Sequence, residues 1–541
     1  MSNKYQRFFS VLLFLAFFAG LFPARSAAQR RHAGKTPNNN ELKLDLLIKG
    51  GLVIDGSMRE PVKTDIGIRG DRIVFIGNSA RKNVIAERTL DAKGMIVAPG
   101  FIDPHTHALE DLSNPQRSAN ENYLMQGVTT VVTGNDGDGP FRVAETLEKW
   151  QQQGIGINAA LLVGHGAVRR EAIGSGNAEP SIEQLTRMKN LIGQAMNEGA
   201  FGISTGLFYA PGSFAKTEEV IELAKIVAGS GGIYDTHMRD EGSYSIGLLG
   251  SIRETIRIGR EAKIPVHISH IKALGTEVWG QSRQAVRLIK QARANGVKVT
   301  ANQYPYTASG TNITAALVPR WAEAGGNAEL LKRIKNPQIR PRLTVEMEAN
   351  LMRRNGAEAI LITRSQDKNF VGKTLGAIAK ERKKTPVETA LDIVAGGGAG
   401  IASFNMNEQD IEYFMKQAFV MTGSDGSTGH PRKYGTFPRK LREYVFDKKL
   451  VTLPFAVRAG SALTAETFRI PERGRLRVGY FADVIVFDPQ TVADPATYEQ
   501  PETLATGMKF VVLNGRIAVD EGKYTGILAG IPLRKISAPN K

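Results

Sequence analysis

With 541 residues, 42% of them hydrophobic, the chain is long enough to bury a large core and to form more than one folding unit. Its formal charge is +17, but the basic residues are scattered, with local clusters only at Arg30–Lys35, Lys332–Arg354 and Lys380–Lys384. The excess therefore reads as solubility and argues against a nucleic-acid face, with attraction for acidic substrates or anionic polymers as the alternative. The absence of cysteine excludes disulfides, thiolate ligands, a thiol nucleophile and a lipidated N-terminal cysteine.

Lys4 and Arg7 precede an apolar run from Phe8 to Phe22, and Ser26-Ala27-Ala28 supplies small residues for cleavage. This is the anatomy of a secretory signal peptide over residues 1–28, and the run is short for a bilayer span. It predicts an exported protein, periplasmic or secreted, with no stable membrane anchor after its removal. Residues 29–43 are basic, polar and aperiodic, and are read as a flexible tail.

Over residues 44–94, Leu46-Leu47-Ile48, Leu52-Val53-Ile54, Ile66-Gly67-Ile68 and Ile73-Val74-Phe75-Ile76 are separated by Gly50-Gly51, Asp55-Gly56 and Gly70-Asp71. Short apolar runs punctuated in this way predict antiparallel strands. A second set closes the chain within residues 456–541, at 482–487, 510–513 and 517–519, spaced by Asn514-Gly515 and Glu521-Gly522. Neither set makes a comfortable domain alone, so the two are expected to combine into one β-sandwich drawn from both ends of the chain.

Between them, over residues 95–455, apolar strands alternate with amphipathic stretches. The candidates are Met95–Phe101, Val128–Thr133, Ala159–Val163, Phe201–Thr205, Gly232–Thr236, Pro265–Ser269, Val297–Ala301 and Phe419–Gly423. Eight such units predict an α/β fold built as a (β/α)8 TIM-like barrel, with its active site at the C-terminal ends of the strands. The interval from about 319 to 386, dense in Lys, Arg and Glu, is too long for a connection and is read as a helical insertion before the last strand, able to act as a lid.

Polar residues at those strand ends interrupt otherwise apolar runs. In Val97–His107, read as VAPGFIDPHTH, His105 and His107 are two apart, so on a strand both imidazoles face one point. Neutral imidazole is the commonest protein ligand for zinc, although an isolated pair of this kind more often caps or faces solvent. Here the other strands supply Asp136, His237, His267 or His270, and Asp425, enough for one or two divalent ions. His267 and His270 are three apart and face opposite sides of a strand. His270, nearer the functional end, is taken as the ligand and His267 as a packing residue. Asp425, in Gly-Ser-Asp-Gly, could be a simple turn residue. Its position after the last strand suits a ligand or an acid/base that takes a proton from an attacking water and returns it to a leaving amine. Zinc makes this feasible at neutral pH by lowering the pKa of water to about 7.

His165 in Gly-His-Gly is read either as lining the site or as a packed residue. Ser204 lacks a Gly-x-Ser-x-Gly elbow, so serine nucleophilic catalysis is rejected. The loop Phe208–Gly212 and the pair Tyr304 and Tyr306 are expected to wall a pocket.

The stretches APGFIDPHTH, GVTTVVTGNDG, GHG at 164–166, STGLFYAPG, THMRDEG, SHIK, YPYTAS, GSDGS and HPRKYGTFPR resemble the amidohydrolase superfamily, in its branch of N-acyl-D-amino-acid deacylases. The resemblance runs from about Leu44 to about Ile531. It implies a metal-bearing barrel with a bipartite β-sandwich, in which His237 and His270 hold a tight zinc ion while His105, His107 and Asp425 line a second, weaker position. It also implies Asp425 as the catalytic acid/base, and Lys272, Tyr304 and Arg432 as the residues that bind the carboxylate of a small N-acyl amino acid. Arg supplies a bidentate fork for that task and Lys a point charge.

One departure stands out. Members of the family often carry Gly-Asn-Cys-Gly where this chain has Asp136 in GNDG. Aspartate is the harder ligand, so zinc is expected to be held less tightly, or another divalent metal preferred. The first reading is hydrolysis of an N-acyl-D-amino acid to a carboxylate and a free D-amino acid. The alternatives are a cyclic-amide hydrolase (dihydroorotase- or hydantoinase-like) or dipeptide hydrolase of the same superfamily, and a catalytically silent exported binding protein.

Overall fold

The apolar run around Pro99 is divided between two sheets. In the computed structural model, which describes residues 41–535, Ile96–Pro99 and Phe101–Thr106 are separate strands. The first pairs in parallel with Leu42–Val53 and antiparallel with Val484–Phe487, while the second pairs in parallel with Val128–Thr133. The expected first strand of the central region, Met95–Phe101, is thus corrected to Phe101–Thr106. The break falls at Gly100, where a Cβ would stand 2.2 Å from Thr129 Oγ1 and where the N–H leaves to donate to Asp483 O at 2.9 Å. An apolar run cannot reveal this, because both strands are buried.

The two end sets share one nine-stranded sheet, ordered Lys523–Tyr524, Arg516–Asp520, Met508–Leu513, Val484–Phe487, Ile96–Pro99, Leu42–Val53, Val62–Arg69 and Arg72–Gly77, with Val84–Asp91 also paired to Leu42–Val53. One core joins them, with Ile48, Ile66, Ile68 and Val97 packed among Val484, Val486 and Val512. Asn514 and Gly515, at φ 49° and 76°, turn the hairpin between Met508–Leu513 and Arg516–Asp520, where two positive φ values fit the twist of the strands. The first strand starts at Leu42, inside the stretch assigned to the tail, while the signal peptide and residues 29–40 lie outside the described residues. The C-terminal part expected from residue 456 opens with helices, Leu453–Gly460 and Ala462–Phe468, the first of which brings Gly460 against the Phe101 ring. Among the described residues no helix is long and apolar enough to cross a membrane.

The central strands are Phe101–Thr106, Val128–Thr133, Asn158–Leu161 continuing to Val163–Gly164, Gly202–Gly206, Ile233–His237, Val266–Ile268, Val299–Gln303 and Val420–Thr422. They pair in parallel in that order as two runs that meet at the break around Leu162. At the far side the Asp425 N–H donates to His105 O at 2.9 Å, and Thr106 forms a parallel bridge with Gly426. Helices such as Thr217–Gly229, Gly247–Glu261 and Ser282–Ala294 lay their apolar faces on the strands, burying Val220, Ile252 and Ile289. Parallel pairing puts every strand's C-terminal end on one side, so residues distant in sequence meet there.

Between Val299–Gln303 and Val420–Thr422 the chain builds a unit with its own core of Leu343, Met347, Ile360, Ile362, Leu391 and Ile401. It is wider than the 319–386 expected and is not purely helical. Ala308–Asn312, Ala399–Phe404 and Ile360–Ser365 form an antiparallel sheet beneath helices Asn327–Lys335, Arg340–Arg353, Leu375–Arg382 and Pro386–Ala395. The outer strand Ala308-Ser309-Gly310-Thr311-Asn312 has no apolar alternation, which hid it from pattern reading.

Lys440 is buried, and its Nζ donates to Thr422 Oγ1 at 2.8 Å in the last parallel strand. Burial pushes this ammonium down to about 7. The unfolded chain, with the ordinary lysine affinity, binds the extra proton up to about pH 10.4. Between these limits stability rises with pH by about 1.4 kcal/mol per unit, since the unfolded state holds more protons. Lys440→Met should therefore raise stability at pH 7 and flatten the slope between pH 7 and 10, as read by urea denaturation at several pH values.

Candidate metal centre

Five of the parallel strands deliver the six predicted ligands to one place. His105 and His107 come from Phe101–Thr106 and the residue after it, Asp136 follows Val128–Thr133, His237 ends its strand, and His270 and Asp425 follow theirs. Asp136 Oδ1 lies 3.5 Å from His105 Nε2, 3.6 Å from His270 Nε2 and 3.8 Å from His237 Nδ1, and its Oδ2 lies 3.6 Å from His107 Nε2. Asp425 Oδ1 is 3.1 Å from His107 Nε2 and 3.6 Å from His105 Nε2. His237 Nδ1 and His270 Nε2 approach to 2.9 Å. The ligands therefore form two groups, His105, His107, Asp136 and Asp425 on one side and Asp136, His237 and His270 on the other, with Asp136 common to both.

The donor set fits a divalent cation. Among the described residues, both ring nitrogens of His105 and Oδ1 of Asp136 are buried without a hydrogen-bond partner, which costs about 1–3 kcal/mol for each such group. Charge points the same way. Burial and Lys272 push the His270 imidazole down, but Glu241, Asp425 and Asp136 outweigh them and raise it to about 9. A cation placed among these carboxylates relieves that excess and leaves the imidazoles neutral, as ligation requires. His237 is lowered to about 3, chiefly by burial.

The backbone is bent to present these groups. Asp136, His270 and Asp425 have φ of 58°, 33° and 49°, in the left-handed region that residues other than glycine seldom adopt. Neighbouring side chains fix each one. Ser204 Oγ donates to Gly134 O and accepts from Gly137 N–H at 3.1 Å, pinning the loop around Asp136. Asn302 Oδ1 accepts from His270 N–H at 2.9 Å. Asp103 accepts from Ser424 N–H at 3.0 Å beside Asp425, and Asp235 accepts from Asn135 Nδ2 and Ser269 Oγ, both at 3.0 Å, beside Asp136 and His270. Burial raises Asp103 and Asp235 to about 7.

Lys272, Tyr304 and Arg432 stand together next to the ligands. The Arg432 guanidinium lies 4.5 Å from the Tyr304 ring centre and Lys272 Nζ 5.8 Å from it. Both cations also hold protein carboxylates, Arg432 Nη1 with Asp425 Oδ2 at 2.9 Å and Lys272 Nζ with Glu241 Oε1 at 2.7 Å. Burial opposes ionisation of Asp425, yet Arg432, His270 and His107 hold its carboxyl well below the usual carboxylate range. The Tyr304 hydroxyl is buried without a hydrogen-bond partner among the described residues. A cavity of about 510 Å³ opens over His107, Asp136, His237, His270 and Asp425, and the inserted unit walls it with Ser309, Thr311, Arg354 and Gly400.

Other residues singled out in the sequence fall outside the cluster. His165 turns to Glu219 Oε1 at 2.8 Å, in a buried group with Arg169. His267 is buried between Thr300 Oγ1 at 2.9 Å and Asn302 Nδ2 at 2.7 Å, packed on Phe468. Phe208 and Tyr209 line the cavity, but Tyr306, expected beside Tyr304 as a wall, instead donates to Asp494 Oδ2 at 2.7 Å. Glu241 was missed by sequence reasoning. Its carboxylate touches His270 Nδ1 at 2.9 Å and so sets the ring for ligation through Nε2. A carboxylate four residues after His237, in THMRDEG, was the available signal, as were Asp103 and Asp235 inside otherwise apolar strands.

The sequence pattern of the Amidohydrolase family matches residues 88–389 and 415–519. The D-aminoacylase of Alcaligenes xylosoxydans xylosoxydans is 36% identical, over 91% of this chain and 98% of its own. A crystal structure of D-aminoacylase aligns with a TM-score of 0.79 at 34% identity, covering 91% of this chain and 100% of that one. The N-acyl-D-glutamate deacylase of Bordetella bronchiseptica, solved with zinc and a phosphonate mimic of the tetrahedral intermediate, aligns with a TM-score of 0.77 at 31% identity, with the same coverage.

Proposed function

The chain belongs to the amidohydrolase family, and from that premise we propose that it is a metal-dependent hydrolase that cleaves the amide of N-acyl-D-amino acids to a carboxylate and a free D-amino acid. The observation that carries the reading is the convergence of His105, His107, Asp136, His237, His270 and Asp425 beside Lys272, Tyr304 and Arg432, at the C-terminal ends of parallel strands. The relatives support the D-series and the choice of a linear amide. In this reading the eight parallel strands close into a (β/α)8 barrel, the nine-stranded sheet folds over as the bipartite sandwich, and residues 1–28 direct export.

Asp136, His237 and His270 would hold the tighter zinc ion, with His105, His107 and Asp425 completing a second, weaker position through Asp136. A bound ion there supplies Lewis acidity to the amide carbonyl and acidifies the attacking water. The remaining work falls to side chains. Lys272, Arg432 and the unpartnered Tyr304 hydroxyl take the substrate's α-carboxylate and hold the amide over the ligands. Arg432 then shares its guanidinium between that carboxylate and Asp425, which loosens its grip on Asp425 and raises the basicity of that group. Asp425 accepts the proton as water oxygen bonds to the carbonyl carbon, and passes it to nitrogen as the C–N bond breaks.

The test is an amine-release assay on N-acetyl-D-amino acids, their L-enantiomers, hydantoins and dipeptides, with zinc, manganese and cobalt. Turnover confined to the D-series is the expected result. Turnover of hydantoins alone, or of no substrate with metal bound, overturns the reading.

A further inference from the structure

Among the cations lining the cavity, Arg354 is the buried one that holds no carboxylate. It is 2% exposed, and no acidic oxygen lies within 4.0 Å of it among the described residues, whereas Lys272, which also lines the cavity, holds Glu241, and Arg432, outside the lining, holds Asp425. Its guanidinium is held in place by two hydroxyls that also line the cavity. Nε donates to Tyr244 Oη at 2.7 Å, and that hydroxyl in turn donates to Ala316 O. Nη1 donates to Ser309 Oγ at 3.4 Å, and that hydroxyl in turn donates to Asn405 Oδ1. A guanidinium has five N–H donors in a rigid fork, so this anchoring leaves the outer edge of the group to the cavity. A buried charge held in place without a counter-ion is costly, and an arriving carboxylate would remove that cost with a bidentate pair.

The position favours a carboxylate other than the one beside the reacting amide. Lys272, Tyr304 and Arg432 are interleaved with the metal ligands, whereas Arg354 comes from the inserted unit, at the end of helix Arg340–Arg353. It reaches the ligands through a run of packed rings, Tyr244 edge-to-face with Phe208 at 5.2 Å and Phe208 tilted against His237 at 5.6 Å. Resting on the deacylase reading above, we propose that Arg354 is a specificity-determining residue that binds a second carboxylate of the substrate, supplied either by the D-side chain or by the acyl group.

Three pairs of substrates of matched shape separate the possibilities, with steady-state kinetics on the metal-loaded full chain. N-acetyl-D-glutamate against N-acetyl-D-glutamine tests the side chain, N-succinyl-D-alanine against N-butyryl-D-alanine tests the acyl group, and N-acetyl-D-methionine against its L-enantiomer tests the deacylase reading by itself. In the unaltered enzyme one dicarboxylate should exceed its neutral counterpart at least tenfold in kcat/KM. Arg354→Met, which keeps bulk and removes charge, should abolish that preference and change the neutral substrates less than threefold, with Arg354→Lys restoring part of it. Should Arg354→Met fail to fold, the preference of the unaltered enzyme and its response to Arg354→Lys decide. Turnover of N-acetyl-D-methionine without any preference for a dicarboxylate overturns this inference and leaves the deacylase reading standing. Equal losses on acidic and neutral substrates in Arg354→Met also overturn it. No turnover of any N-acyl-D-amino acid refutes both.

Discussion

Asp425→Asn is expected to lower kcat by about two to four orders of magnitude, the range that a positioned acid or base contributes, without raising KM. The amide side chain keeps the size of the carboxylate and the backbone at φ 49° but cannot accept a proton. The effect on binding follows from Arg432, which is buried and pairs with Asp425 at 2.9 Å. With that carboxylate neutralised, the substrate's own carboxylate becomes the counter-ion of a buried guanidinium, so the ground state is held as well as before or better. A fall in kcat with unchanged or lower KM is the signature of a group that acts on the reaction and not on uniform binding. Metal analysis should still find the ion assigned to Asp136, His237 and His270. A variant with undiminished kcat, or one that has lost all metal along with activity, removes the acid/base assignment.

Asp136→Ala should be as severe by another route. This residue is common to both ligand groups, and its Oδ1, 3.5 Å from His105 Nε2 and 3.6 Å from His270 Nε2, is buried without a hydrogen-bond partner among the described residues. Its loss is expected to weaken metal binding by more than the roughly 10–100-fold that follows from removing a hydrogen-bond partner of a ligand, and to remove activity in step. Asp136→Cys should move the other way for zinc, because thiolate is the softer donor, and should shift preference away from manganese. Competition with a chelator, followed by metal analysis and amine release, orders the three proteins as cysteine, aspartate, alanine in zinc affinity. Full metal content in Asp136→Ala would show that the ion sits elsewhere.

The convergence of these six side chains was legible in the sequence because each lies at or just past the end of an apolar strand, where a titratable side chain has no packing reason to be. His105 and His107 showed themselves by the period of two, and His270 was preferred over His267 by strand geometry. His267 indeed lies buried between Thr300 and Asn302 while His270 faces Asp136. What escaped was of two kinds. The division of the run at Pro99-Gly100 is set by tertiary pairing, since residues on both sides are equally apolar and buried. The same holds for the sheet in the inserted unit, whose strand Ala308–Asn312 is small and polar. The supporting carboxylates were visible as letters but not as roles. Asp103, Asp235 and Glu241 act through hydrogen bonds to residues that follow the ends of other strands, and periodicity along one strand does not register such partners.

The inserted unit has a core of its own, in which Leu343, Ile360 and Leu391 pack together apart from the strands that carry the ligands. It nevertheless contributes part of the cavity wall, including Ser309, Arg354 and Gly400. Part of the cavity wall is therefore encoded in a stretch of the gene separate from the strands that carry the grouped His and Asp side chains, while Phe208, Tyr209 and Tyr244 supply wall from among those strands. Recombination that exchanges the 308–404 block between relatives would replace that part of the wall and leave the grouped His and Asp side chains in place.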